Sequence, residues 1–173
     1  MDMRTTPTVG RTSFTLHFTG YLYAVGLRDA FADLIVRHEQ LRTVYPMSGS
    51  SAAPRVLSAG SSIVPRLAPV PVTAMALPDT ITEFLDEENA AALSLPVRAR
   101  LFRQLGELED IPQHLLVVTL RRAAADRVSP ALLARDLMTA YAARRRNLAP
   151  AWDVVRAPRP LRVHELRGVR LIE

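Results

Sequence analysis

Histidine is the side chain whose ordinary pKa best suits acid–base chemistry at neutral pH, and it is also a common metal ligand. The chain has four, at His17, His38, His114 and His164. No two of them have the i, i+3 or i+4 spacing that would place a pair of imidazoles on one side of a helix as metal ligands. The chain contains no Cys, which excludes thiol nucleophiles, disulfides and zinc–thiolate or iron–sulfur sites. We therefore predict no metal site and no cofactor, and we interpret the histidines as surface or capping residues.

The cations form the second chemical feature, because all 22 basic residues are Arg. Residues 1–120 hold 10 Arg against 12 acidic residues, whereas residues 121–173 hold 12 Arg against 5. Guanidinium groups attract phosphates, acidic proteins and nucleic acids. The basic run Arg144, Arg145 and Arg146 is thus a candidate for binding a partner. Aromatic residues make up 6% of the chain and none interrupts this run, so no platform for stacking bases is predicted.

The elements that position these residues can be read from the periodicity of apolar side chains. Residues 13–20 alternate between apolar and polar, which predicts a half-buried strand. An amphipathic helix follows from Leu27 to near Glu39. A short strand and a loop come next, and the Pro-broken segments 55–57 and 62–73 are typical of edge strands.

The second half of the chain continues this alternation of strands and helices. Thr80 and Glu83 have the spacing of a capping box and predict a helix start. Strands are predicted at 97–101 and at 114–122, where a nearly continuous apolar run favours a central strand covered on both faces. Ser129 and Pro130 then predict the N-cap and first position of a helix that ends near Arg144–Arg146.

The length of 173 residues fits one domain of ordinary size. We predict an extended or disordered N-terminus at 1–12, a lobe at 13–147 and a tail or linker rich in Pro and Arg at 148–173. The order of elements favours an α+β fold, a two-layer α/β sandwich with a mixed sheet. The N-terminus has no apolar targeting segment and no run is long enough to span a bilayer, so we expect a cytoplasmic protein.

The segment RHEQLRTVYP at 37–46 resembles the RHExLRTxF signature of condensation domains in nonribosomal peptide synthetases, which belong to the chloramphenicol-acetyltransferase-like superfamily. PVRARL at 96–101 is similar to the PLxRAxL strand of that family. Residues 115–143 are similar to its LLLxxHHxxxDGxSxxxLxxELxxxYxA segment. The resemblance runs from about Phe14 to Arg146 and implies the N-terminal lobe of a two-lobed domain.

The motif that carries catalysis in this family is degenerate here. Alignment of HHxxxDG with residues 121–127 places Arg121 and Arg122 at the two His, Asp126 at the Asp and Arg127 at the Gly. In the family the second His acts at the acyl-transfer centre as a base or an orienting donor. A guanidinium with a pKa above about 12 cannot accept a proton at neutral pH. The resemblance therefore implies a pseudo-enzyme with no catalytic residues.

The resemblance also implies a structural role for Asp126, because the family's Asp holds the motif loop through a salt bridge to an Arg. We expect Arg42 to be that partner. Removing one member of a buried charge pair costs free energy, so retention of the Asp fits a domain kept for its shape.

Three functions are compatible with these features. The first is a non-catalytic structural or docking module whose partner is an adenylation domain, a carrier domain or a tailoring protein, because related domains that lost HHxxxDG chemistry recruit tailoring oxygenases. The alternative is half of a split acyltransferase, completed by a second lobe or by a second copy in a homodimer. The third is a basic nucleic-acid-binding domain, which rests on charge alone.

Overall fold

The computed structural model describes residues 11–44, 53–60, 62–90, 95–106, 111–152 and 169–172. Its strands are β1 (Arg11–Thr19), β2 (Thr43–Val44), β3 (Arg55–Val56), β4 (Val70–Thr73), β5 (Val97–Leu105), β6 (Gln113–Arg121) and β7 (Val169–Ile172). Its helices are α1 (Ala24–Arg37), α2 (Leu77–Ala90), α3 (Arg122–Ala125) and α4 (Pro130–Arg144), and a 3-10 turn spans Glu39–Arg42.

Five of the strands form one mixed sheet in the order β4-β5-β6-β1-β7. The pairs β5–β6, β6–β1 and β1–β7 are antiparallel, whereas β4 runs parallel to β5 at one edge. Strand β6 lies in the middle, and every residue from His114 to Leu120 is buried. The predicted mixed sheet and its central strand are therefore confirmed, as is the edge position of β4.

The other edge of the sheet is formed by β7, in which Val169 pairs with Phe18 and Ile172 pairs with Thr15. Because β7 is hydrogen-bonded along β1, the sheet includes part of the segment predicted as a tail. The remaining two strands, β2 and β3, form a separate antiparallel ribbon.

Helices α1 and α4 pack together on one face of the sheet and enclose the main core. The sheet contributes the alternate side chains that point to this face, among them Leu16, Leu101 and Leu116, all fully buried. The opposite face is covered in part by α2, where Phe84 packs with Phe102 and neighbouring apolar residues of β6. Period-two alternation along the strands thus separates two apolar clusters of unequal size.

Helix boundaries follow local capping chemistry. At the start of α4, Ser129 Oγ accepts a hydrogen bond from the Leu132 N–H at 3.1 Å and Pro130 occupies the first helical position, which confirms the predicted cap. The capping box predicted for α2 is wrong. The helix begins earlier, at Leu77, and Thr80 Oγ1 donates to the Ala76 carbonyl within the first turn at 2.9 Å.

Helix α1 also differs from the prediction at both ends, since it starts at Ala24 and ends at Arg37. At its C-terminus the chain leaves the α-helix at His38 and tightens into the 3-10 turn. This change of direction places His38 beside α4.

Candidate functional site

The degenerate motif lies where the central strand of the sheet leads into helix α4. Arg121 ends β6 and is half-buried, Arg122 begins the short helix α3, and Asp126 and Arg127 follow in the turn before Ser129. The side chains of Arg122, Asp126 and Arg127 are exposed. The structure therefore places the four predicted motif residues along one short segment, from the end of β6 to the turn before α4, with three of them exposed.

Asp126 forms an ion pair with Arg122, one helical turn earlier. The Arg122 Nε and Asp126 Oδ2 atoms are 3.9 Å apart, and the two side chains are 78% and 68% exposed. A pair this long and this exposed is screened by water and contributes little to stability.

The predicted salt bridge between Arg42 and Asp126 is wrong. Arg42 instead donates a hydrogen bond to the Leu57 carbonyl at 3.0 Å and lies 3.5 Å from the Glu39 carboxylate. The 3-10 turn directs the Arg42 side chain toward Leu57, the residue that follows β3, and the Arg42 Nε is buried without a hydrogen-bond partner. The interpretation of Asp126 as half of a buried charge pair fails with it, because Asp126 is at the surface.

The fold does contain a buried carboxylate that pairs with charged residues, but this carboxylate is that of Asp136 in α4, not that of Asp126. Its side chain is 6% exposed, and its Oδ2 atom lies 2.9 Å from both Arg37 Nε and His38 Nε2. Arg135 approaches the other carboxylate oxygen at 3.3 Å. Burial by itself would raise the pKa of Asp136, but the hydrogen bonds from His38, Arg37 and Arg135 outweigh it and lower that pKa below its ordinary value.

The Arg and His of the RHE signature therefore connect the end of α1 to α4. The Arg37 guanidinium also lies over the ring of Trp152, 4.5 Å from its centroid. In this chain the RHE signature thus contributes to the packing and ion pairing between two helices.

A second polar connection joins the same two helices further along. Arg144 makes two hydrogen bonds to the Asp33 carboxylate, from Nε at 2.7 Å and from Nη2 at 2.6 Å, and these bonds raise the pKa of Arg144. This pairing corrects the prediction that all three residues of the basic run face a partner. Arg144 forms an ion pair with Asp33, whereas Arg145 and Arg146 are exposed.

Sequence reasoning missed Asp136 and Asp33, although one signal pointed to the first. Asp136 falls within the apolar stripe of α4, between the buried residues Leu133, Leu137 and Ala140. A carboxylate on a core-facing stripe requires a charged or hydrogen-bonding partner. Asp33 carries no comparable signal, because it is only half-buried on α1.

The motif turn offers no proton acceptor other than the carboxylate of Asp126. Arg121, Arg122 and Arg127 can only donate hydrogen bonds. In the described part of the chain, no group of three His, Asp or Glu residues is arranged to hold a metal ion. Among the same residues, no helix has the length and hydropathy to cross a membrane.

No protein-family model matches the chain. It is 35% identical over 138 residues to the probable nonribosomal peptide synthetase CymA of Salinispora arenicola, a match that covers 80% of this chain and 2% of that protein. It is 35% identical over 151 residues to the isonitrile lipopeptide synthase of Mycobacterium tuberculosis, covering 84% of this chain and 6% of the synthase. The chain thus spans a small part of these relatives.

Among solved structures, the X-domain from teicoplanin biosynthesis superposes with a TM-score of 0.69 at 33% identity, over 83% of this chain and 30% of that one. The X-domain in complex with OxyB gives a TM-score of 0.66 at 34% identity, over 85% and 31% of the two chains. VibH, a condensation enzyme, shares the fold alone, with a TM-score of 0.55 at 12% identity over 83% and 32%.

The same family is indicated by the fold, by the RHExLRT and PLxRAxL segments, and by both the sequence relatives and the solved structures. The chain belongs to the condensation-domain family of nonribosomal peptide synthetases, in the chloramphenicol-acetyltransferase-like superfamily, and it carries a degenerate HHxxxDG motif.

Proposed function

We propose that the chain is a non-catalytic condensation-like module that serves as a structural and docking element of a nonribosomal peptide synthetase. The observation that supports this proposal is the position and exposure of Arg122. It stands at the position of the reactive His, it is 78% exposed, and its neighbour in the structure is the exposed carboxylate of Asp126.

Acyl transfer at this turn would lack two things that the reaction needs. A base must accept a proton from the attacking amine or hydroxyl, and a guanidinium cannot do so at neutral pH. Donors that stabilise an oxyanion are effective when they are fixed and shielded from water, whereas Arg122 is long, flexible and solvated. The exposed side chain of Arg127 adds bulk and charge where the family's Gly leaves space.

The surface that we assign to docking is the end of α4, formed by Arg145 and Arg146. Both side chains are exposed, and the ion pair between Arg144 and Asp33 fixes the helix beneath them. An acidic patch on an adenylation domain, a carrier domain or a tailoring protein would complement these cations. The solved complex of an X-domain with OxyB supports a tailoring protein as one such partner.

The connections between α1 and α4 support a role that depends on shape. Asp136 and Asp33 each bind an Arg of the facing helix, and the Tyr23 N–H donates a hydrogen bond to the Tyr141 hydroxyl at 2.9 Å. These three polar contacts join α1 and α4 at different points along the two helices. We infer that the helices therefore present a fixed surface at the end of α4. Binding to a fixed surface loses less conformational entropy than binding to a mobile one.

The proposal is tested by binding measurements with a carrier domain of a nonribosomal peptide synthetase and with a tailoring oxygenase, using calorimetry at low and moderate salt. We expect at least one of them to bind, and the double variant Arg145→Glu, Arg146→Glu to weaken binding by about tenfold or more. The matched control is Arg55→Glu, Arg66→Glu, which reverses two exposed cations elsewhere.

Two outcomes would overturn the docking role. One is an equal effect of the two double variants, since a generic loss of charge would then explain the change. The other is formation of a condensed product when a second lobe is supplied, which would favour the split acyltransferase.

A further inference from the structure

An open cleft lies at the end of the sheet opposite to the degenerate motif. Its volume is about 510 Å³, a size that suits a small ligand or an inserted side chain. Its floor includes Arg103 and His114, which are paired across β5 and β6. At about 3.3 Å per residue, His114 lies roughly 23 Å along the strand from Arg121. The cleft is therefore separate from the residues of the degenerate motif.

Strand register explains how these side chains come together. Pro71 of β4 is paired with Arg103 of β5, and Arg103 is paired with His114 of β6, so the three residues form one row across the sheet. His114 is in turn paired with Phe18 of β1. Since residues in one row point to the same face, the row places a cation and an imidazole side by side.

The wall of the cleft is built by two turns that are tied together. Gly20 has a φ of +97°, a conformation that favours glycine, and its N–H donates to the Pro112 carbonyl at 2.8 Å. This contact sets Tyr21 and Leu22 beside Pro112 at the mouth of the cleft. Leu22 belongs to the core, whereas Tyr21 is 90% exposed. An aromatic ring, a Leu and prolines thus give the cleft a largely apolar wall.

The floor contains one buried polar atom without a partner and one exposed cation. His114 is only 7% exposed, and its Nδ1 atom is buried without a hydrogen-bond partner. A buried polar atom without a partner is rare in folded proteins and costs free energy. Arg103 is exposed, and it forms no ion pair with any residue that the structure describes. Both side chains line the cleft, so one ligand could contact both.

The charge of the cleft narrows the class of ligand. Burial, and then the charge of Arg103, lower the pKa of His114 below its ordinary value, so the imidazole is neutral at neutral pH. The floor then offers a single positive charge next to a neutral imidazole whose other ring nitrogen can donate a hydrogen bond. This combination matches one carboxylate rather than a doubly charged phosphate.

We propose that this cleft binds a carboxylate carried on an aromatic or other apolar body. Arg103 holds the carboxylate, the His114 ring completes its hydrogen bonding, and Tyr21 with Pro71 and Pro112 contacts the apolar part. Such a ligand can be a free aromatic acid or an acidic residue beside an aromatic one in a peptide. The site does not depend on whether the chain transfers acyl groups, and it goes beyond the docking role.

The test is a two-dimensional NMR titration of the full, ¹⁵N-labelled chain. One arm uses 3-phenylpropanoate and its neutral analogue 3-phenylpropanamide at millimolar concentration. The other arm uses acetyl-Phe-Asp-amide and the uncharged acetyl-Phe-Asn-amide. We expect saturable shifts of the Arg103 and His114 signals with the carboxylates, and at least about tenfold weaker binding of the amides. The arm with the tighter binding assigns the source of the ligand.

Variants separate the cleft from general charge effects. Arg103→Gln should weaken carboxylate binding by about tenfold and leave the amides unchanged, whereas the matched control Arg55→Gln should alter neither. Both residues are exposed, so the fold should tolerate either change. Absence of saturable shifts with both carboxylates, equal binding of acid and amide, or shifts confined to another surface would each overturn the proposal.

Discussion

His38 Nε2 and Asp136 Oδ2 lie 2.9 Å apart, although the two residues are 98 positions apart in the chain. The contact forms because α1 ends just before His38, and α4 runs alongside with Asp136 on its buried side. Arg37 reaches the same oxygen. In this protein, the first two residues of the RHE signature therefore stabilise the packing of two helices.

Replacement of Asp136 should destabilise the protein substantially. We expect Asp136→Asn to lower the free energy of unfolding by about 2–3 kcal/mol, because it leaves Arg37 and His38 beside a neutral group in a partly buried site. Urea denaturation followed by circular dichroism measures this change. The matched control is Asp126→Asn, which should cost less than about 0.5 kcal/mol because that carboxylate is exposed. Equal losses in the two variants would contradict the assignment of Asp136 as the buried partner.

The contribution of Asp136 should depend on pH in one direction. Its pKa is lower in the folded chain than its ordinary value of about 3.8. Its stabilising contribution is therefore complete above the pKa of the unfolded chain and is lost as the pH falls through the lower pKa of the folded chain. The difference in free energy of unfolding between the wild type and Asp136→Asn should shrink between about pH 5 and pH 3. A difference that stays constant over that range would show that charge on Asp136 is not what stabilises the helix pair.

The ion pair between Asp33 and Arg144 should show energetic coupling. In a double-mutant cycle with Asp33→Asn and Arg144→Gln, we expect a coupling energy of about 1 kcal/mol, because the pair is bidentate and half-buried. The coupling should fall at high salt, since water reaches part of the pair. Arg145→Gln serves as the control and should show no coupling with Asp33→Asn.

His114 should titrate below its ordinary pKa of about 6.5. Burial favours the neutral ring, and the nearby charge of Arg103 disfavours protonation further. Arg103→Gln should therefore raise the pKa of His114 without restoring its full ordinary value. Proton NMR of the imidazole signals across the pH range measures both effects. A pKa of His114 that is unchanged or lower in the variant would contradict the placement of the two side chains.

Local features of the fold could be predicted from the sequence. The cap at Ser129 depends on a hydroxyl and a proline at adjacent positions, and the central strand β6 depends on an uninterrupted apolar run. Both signals are complete within a few residues. The predicted start of α2 is wrong because Thr80 and Glu83 match a capping box, whereas the first turn forms three residues earlier around Pro78.

Charge pairing could not be predicted in the same way. The resemblance predicts a salt bridge between Arg42 and Asp126, but the 3-10 turn gives Arg42 nearer partners in Glu39 and the Leu57 carbonyl. The partner of a charged side chain depends on the spacing of elements far apart in sequence. The cleft at His114 could not be predicted for the same reason. It requires β4 to pair with β5, and no local pattern in the sequence determines the register of that pairing.

The most direct test of the central claim is an acyl-transfer assay on the chain itself. The chain is mixed with an acyl donor and an acceptor amine, both loaded on carrier domains, and the products are identified by mass spectrometry against an intact condensation domain as positive control. We predict no product above background for the wild type, and none for Arg122→His, because one imidazole on an exposed turn does not rebuild a shielded centre. Product from the wild type that disappears in Asp126→Ala would contradict the claim that this module is non-catalytic.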